Sequence, residues 1–143
     1  MSQKIMTGSE TILVVDDEDM ILDVAKQMME KLGYKVYTAG NGTEAIELYK
    51  TKRNDIDMVI LDMVLPDMEG KEAYECLKKI DPEVMVLLSS GYSIAGEAEE
   101  ILSRGCNGFI QKPFDLKRLS KKIREILNGE KQGLRQQNMK MTA

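Results

Sequence analysis

The sequence predicts one α/β domain built on a doubly wound parallel sheet, and three observations carry that prediction. Five short aliphatic runs recur along the 143 residues, each followed by a helical pattern. The third and fourth runs are almost wholly apolar, as central parallel strands covered on both faces must be. No apolar run exceeds strand length, so none is long enough to span a membrane.

The first strand is expected over residues 11–15. Met20, Ile21, Val24, Ala25, Met28 and Leu32 mark one face of the helix after it, and Gly33 is its stop signal. Residues 34–38 form the second strand. Asn41-Gly42-Thr43 then opens a helix that turns Ala45, Ile46 and Tyr49 inward. The third strand covers 58–61, and its helix covers about 69–80, closed by Asp81-Pro82. The fourth strand covers 84–88 and precedes a helix over about 94–104 that has Gly96 near its start. The fifth covers 106–110. Its helix buries Leu116, Leu119, Ile123 and Ile126 behind an Asp115 N-cap. Beyond Asn128-Gly129 the periodicity is lost. The expected organisation is a flexible flank over 1–10, one domain over 11–128 and a loose polar tail over 129–143.

Composition narrows the function. A net charge of −4 gives no reason to expect nucleic-acid binding. The chain has no histidine, which excludes a Cys/His zinc site, the commonest general base and a phosphohistidine carrier. Cys76 and Cys106 lack metal-ligand spacing, and two free thiols suit a reducing cytoplasm. Residues 1–10 are mixed and polar, without the apolar run of a secretory signal.

In doubly wound sheets ligands bind at the carboxyl ends of the strands. Asp16 and Asp17 follow the first strand, Asp62 the third, Ser89-Ser90-Gly91 the fourth and Lys112-Pro113 the fifth. If those strands are neighbours, the side chains converge on one shallow site. Three carboxylates there repel by about 4 kcal/mol per pair at about 4 Å and an effective dielectric constant of about 20. Either one pKa rises and a proton is shared, or a hard divalent cation neutralises the cluster. Mg²⁺ takes one or two carboxylates together with water and phosphate oxygens, which suits a half-open site, and Mn²⁺ is a substitute. A glycine-rich first turn would cradle a phosphate directly, whereas this acidic turn needs the metal first. Lys112 and the Ser90 hydroxyl are then placed to hold phosphate oxygens, and Asp62 is placed to act as the nucleophile. Taken singly, each feature has a plainer reading as a helix cap or a turn. Their joint placement at four strand ends points to a metal-assisted phosphoryl acceptor.

At these residues the chain resembles the receiver domains of two-component response regulators. The resemblance covers residues 10–128. It rests on Val14-Val15-Asp16-Asp17-Glu18, on Leu61-Asp62-Met63-Val64-Leu65-Pro66-Asp67-Met68-Glu69-Gly70, on Leu88-Ser89-Ser90-Gly91, and on Gly108-Phe109-Ile110-Gln111-Lys112-Pro113-Phe114. It implies the flavodoxin-like (βα)5 fold with strand order 2-1-3-4-5. It implies that Asp62 accepts a phosphoryl group from a partner histidine kinase or a His-containing phosphotransfer protein. Asp17 would hold Mg²⁺ directly, Asp16 largely through water, with Asp62 and the Val64 backbone carbonyl as further ligands. Ser90 and Lys112 would bind the phosphate, and Lys112-Pro113 would be cis. Phe109 would swing inward as Ser90 moves, repacking the surface of helix four, strand five and helix five for a downstream protein.

Departures from the family pattern bear on finer points. Gly105-Cys106-Asn107-Gly108 replaces a common Gly-Ala-Asp-Asp, which removes acids of a charged dimer interface and favours a monomer or weak dimer. Val64 and Tyr92 stand at positions that tune dephosphorylation, and Val64 cannot orient an attacking water, so a long-lived phosphoryl group is expected. The domain is read as a stand-alone regulator or as the receiver of a hybrid sensor kinase or larger regulator. A haloacid-dehalogenase-type phosphatase is the contrasting class: Asp17-Glu18-Asp19 imitates its motif and predicts chemistry at Asp17, but Ile21 stands where Thr or Val is wanted. The basic residues Lys117, Arg118, Lys121, Lys122 and Arg124 are read as a solvated face of the fifth helix.

Overall fold

The computed structural model describes residues 5–91 and 96–142, and side chains as far as residue 129. Strands and helices alternate as β1 (Thr11–Val15), α1 (Asp19–Lys31), β2 (Lys35–Ala39), α2 (Gly42–Lys52), β3 (Met58–Asp62), α3 (Gly70–Ile80), β4 (Val86–Ser90), α4 (Glu97–Ser103), β5 (Gly108–Gln111) and α5 (Leu116–Thr142). The five strands are parallel in the order β2-β1-β3-β4-β5. The chain reverses direction across the sheet between β1 and β3, which opens a crevice at their carboxyl ends.

Strand alternation sorts the core into two layers. Leu13, Val15, Val59, Leu61, Val86 and Leu88 face α2, α3 and α4, meeting Ala45, Tyr49, Tyr74, Leu77 and Ile101. Ile12, Val14, Met58, Ile60 and Leu87 face α1 and α5, meeting Leu22, Met29, Leu119 and Ile123. Every position of β1, β3 and β4 is buried, which is why these runs tolerate no alternation with polar residues until their ends. Each buried Leu or Ile contributes about 1.5–3 kcal/mol of transfer free energy. Gly33 closes α1 at φ +100, and its Cβ position lies 2.3 Å from the Gly8 carbonyl oxygen, so a side chain there would meet backbone.

Several expectations shift. β4 lies two residues later than its apolar run, because the ladder continues through Met63 N to the Ser89 carbonyl at 3.0 Å and Lys112 N to the Ser90 carbonyl at 2.7 Å. Ser89 and Ser90 are therefore strand residues, and Asp62 is the last residue of β3. The apolar face assigned to α1 is only partly inward: Ala25 and Leu32 are buried, whereas Met20 is 81% and Val24 51% exposed, and Leu22 and Met29 are buried beside Ala25 instead. Asp19 is the first helical residue and Glu18 the N-cap, which makes no side-chain cap bond. Asp115 does cap α5, accepting from Arg118 N at 2.8 Å. That helix runs to Thr142 rather than giving way to a loose tail near 129. Its last stretch is rich in Glu, Lys, Gln, Arg and Met, whose propensity sustains a helix without an apolar periodicity. The start expected for the fourth helix falls outside the described residues. Among the described residues no helix is long and apolar enough to cross a membrane.

Candidate functional site

The site is built where β1, β3, β4 and β5 end. Asp16 leaves β1 with its N–H donating to the Ala39 carbonyl at 3.1 Å, which keeps it at the crevice. Its Oδ1 accepts from Glu18 N at 3.0 Å, a turn of the kind Asp favours. Asp62 stands beside it on β3 and its Oδ1 accepts from Val64 N at 3.3 Å. Carboxylate oxygens of Asp16, Asp17 and Asp62 lie within 4.8 Å of one another. Asp16 and Asp62 are buried and Asp17 is exposed. A cavity of about 450 Å³ opens over them, lined by Asp17, Glu18, Asp62, Val64, Ser90 and Lys112.

Lys112 reaches in from the end of β5, through a cis bond to Pro113. Its Nζ is 2.5 Å from Asp16 Oδ2 and 3.3 Å from Asp62 Oδ2. The lysine assigned to a phosphate in the sequence is thus a counter-ion to two of the acids in this structure. Burial works against its charge, but the hydrogen bond to Asp16 and the charges of Asp62 and Asp16 prevail, and its pKa is raised. Burial raises the Asp62 pKa. Lys112 opposes that rise and Asp16 adds to it. The three clustered carboxylates outnumber the one ammonium, and Glu18 adds another acid to the cavity wall, an excess of negative charge that a divalent cation offsets. The donors are hard oxygens and one of the acids faces solvent, so the residues present fit Mg²⁺ or Mn²⁺.

The other residues singled out in the sequence are distributed around this cavity. Ser90 and Val64 line it. Phe109 is 9% exposed and packed in the core layer under α3 and α4, so in this structure it already lies inward. Tyr92 falls outside the described residues. Two features escaped the sequence reading. One is Asp67, whose partners lie on α2. The other is an apolar groove beside the acids, lined by Met20, Ile21, Val24, Met28, Pro113 and Phe114, with Lys112 on its wall. The signal for the groove was present, since the misassigned apolar residues of α1 are the ones that form it. Cys76 and Cys106 are both free thiols.

A five-stranded 2-1-3-4-5 sheet with an acidic crevice facing a lysine is the arrangement of a signalling receiver. The chain belongs to the response regulator receiver domain family, whose sequence model matches residues 12–124. It is 34% identical over 122 residues to the sensor kinase CckA of Brucella abortus, covering 85% of this chain and 13% of that protein. It is 33% identical over 116 residues to the chemotaxis protein CheY of Thermotoga maritima, covering 80% of this chain and 95% of that one. Among solved structures, a response regulator receiver domain protein of Clostridium thermocellum superposes with a TM-score of 0.81 at 33% identity, over 85% of this chain and 97% of that one. The chain therefore spans a small part of the first relative's length and nearly the whole of the second's.

Proposed function

We propose that this receiver domain is a phosphoacceptor in which Asp62 takes a phosphoryl group from a partner's phosphohistidine. The observation that carries the proposal is the convergence of Asp16, Asp17 and Asp62 within 4.8 Å beside Lys112. An Asp62 oxygen attacks phosphorus, the P–N bond to the partner imidazole breaks, and an aspartyl phosphate forms. Asp17, Asp62 and the Val64 carbonyl, with Asp16 largely through bound water, would hold Mg²⁺, which would supply charge neutralisation to the incoming phosphoryl oxygens. Lys112 transfers one of its hydrogen bonds from the carboxylates to a phosphoryl oxygen, and Ser90 supplies a hydroxyl to another. The response passes through Ser90 and Phe109 to the face formed by α4, β5 and α5, where a downstream protein reads it.

The apolar groove between α1 and Pro113-Phe114 supports a protein donor. It adjoins the acidic cavity, shares Lys112 with it, and exposes Met20 and Val24 at the rim of the site. A histidine kinase or His-containing phosphotransfer protein whose apolar helix face rests there would bring its phosphohistidine to Asp62. Val64, with a 61% exposed and wholly apolar side chain, offers no group to orient a hydrolytic water, which supports a long-lived phosphoryl group. The domain is read as a stand-alone regulator or as the receiver of a hybrid kinase. The phosphatase reading at Asp17 loses its ground because the chain belongs to a different family.

Intact mass after incubation with acetyl phosphate and Mg²⁺ tests the proposal. One phosphoryl group is expected on the wild type, and none on Asp62→Asn or on the wild type in chelator. Labelling of both proteins, or of neither, would overturn it.

A further inference from the structure

The start of α2 is closed by a residue from a different element. The first amides of a helix lack intrahelical acceptors. Asn41 serves one of them locally, its Oδ1 accepting from Glu44 N at 2.8 Å. The two before it are served from the connection between β3 and α3. Asp67 Oδ1 accepts from Gly42 N at 2.8 Å, and its Oδ2 accepts from Thr43 N at 2.8 Å and the Thr43 hydroxyl at 2.6 Å. One carboxylate thus receives three donors across 25 residues of sequence. Beside it Met68 presses on the same helix start: a Cβ at Gly42 would sit 2.5 Å from the Met68 side chain.

The base of the same loop is closed independently. Val64 and Glu69 form an antiparallel bridge, and Gly70 N donates to the Met63 carbonyl at 3.0 Å. Gly70 permits that approach, since a Cβ there would lie 2.8 Å from Met63 backbone atoms. The loop is therefore tied at its base to itself and at its tip to α2. Val64 rides on it, lines the acidic cavity and donates its N–H to Asp62.

We propose that Asp67 is a positioning residue for the divalent cation: by clamping the loop tip to α2 it holds Val64 in place beside Asp62. The inference rests on the reading of the acidic site given above. The Thr43 hydroxyl, the Thr43 amide and the Gly42 amide hold the Asp67 pKa down to about 2, so the clamp stays charged throughout the neutral range. Asp67 contributes no ligand atom to the acidic cluster, and its loss acts only through the backbone that carries Val64.

Mn²⁺ titration of the full chain by calorimetry separates positioning from simple stability. The Kd is expected to rise about tenfold in Asp67→Ala, with a smaller rise in Asp67→Asn, where one oxygen still accepts. Asn41→Ala removes a cap of the same helix without touching the loop, and its Kd is expected to stay within about twofold of wild type. Circular-dichroism melts of both alanine variants should fall by similar amounts. An unchanged Kd in Asp67→Ala, or an equal rise in Asn41→Ala, would overturn the inference. Asp67→Asn gives the answer if the alanine variant does not fold. A wild-type chain that binds no Mn²⁺, or binds it equally well as Asp62→Asn, would overturn the reading of the site itself, and the positioning role with it.

Discussion

The two ends of the sheet spend the same kinds of side chain in opposite ways. At the amino end, acids and amides close the backbone. Asp57 Oδ2 accepts from Thr11 N at 2.8 Å while Asp57 N donates to the Thr11 carbonyl at 2.8 Å, fastening the entry of β3 to β1. Asn107 does the same between β5 and β4, its Oδ1 accepting from Val86 N at 2.9 Å and its N–H donating to the Val86 carbonyl at 3.1 Å. Arg124 joins Glu10 at 2.7 Å, the Tyr34 hydroxyl at 3.3 Å and Asn128 at 2.7 Å. At the carboxyl end three acids cluster beside one lysine, which pairs with two of them and leaves the acids in excess. An aspartate matched to backbone donors is structure; one set against other aspartates is a binding site waiting for positive charge.

Substitutions at the two ends should therefore separate function from stability. The largest effect is expected for Lys112→Ala, which removes the cation nearest the acceptor. Its labelling rate with acetyl phosphate should fall about a hundredfold, by analogy with loss of one donor to a developing anion. A rate close to wild type would place the phosphate elsewhere. Next comes the groove. Val24→Glu puts a charge on its exposed apolar wall and should slow transfer from a phosphorylated His-containing phosphotransfer protein about tenfold. Labelling of the same variant by acetyl phosphate should be unchanged, and a parallel loss of both would remove the groove from the account.

At the amino end the effects should appear in stability and not in labelling. Asn107→Ala strips the acceptor from the fully buried Val86 N–H and should cost about 1–3 kcal/mol in urea unfolding, with the labelling rate unaltered. The smallest effect belongs to Glu10. Its burial would raise its pKa, but the hydrogen bond from Arg124, the backbone hydrogen bonds of Glu10 and Ser9 and the Arg124 charge together outweigh it, and the folded value is lowered. Its contribution is present above the ordinary carboxylate value and is lost as pH falls through the lowered one. Urea midpoints of Glu10→Gln should accordingly lose part of the acid dependence seen in wild type, with little change at neutral pH.

The same contrast explains what could be read from the sequence. The central strands β1, β3 and β4 were legible because burial on both faces leaves them few polar positions, and the acids were legible because they stop the runs of β1 and β3 abruptly. The end of β4 was not, since Ser89 and Ser90 complete a ladder with polar side chains, and hydrogen-bonded backbone leaves no mark in hydropathy. Met20 and Val24 misled for a related reason: a residue kept apolar for an exposed groove looks the same as one kept apolar for the core. Asp67 was hidden because an acid in a Pro-containing turn reads as turn chemistry, and nothing local connects it to Gly42 and Thr43. The role of Lys112 was half legible: its place in the site followed from its strand end, but its pairing with Asp16 and Asp62 emerges only when the three are side by side.

Everything proposed for the carboxyl end depends on Asp62 being the residue that carries the phosphoryl group. Borohydride reduction of the acetyl-phosphate-labelled protein, followed by peptide sequencing by mass spectrometry, reads the modified aspartate directly as homoserine. Homoserine is expected at position 62 alone, and only when Mg²⁺ is present during labelling. Homoserine at position 17, or its formation without a divalent cation, would contradict it.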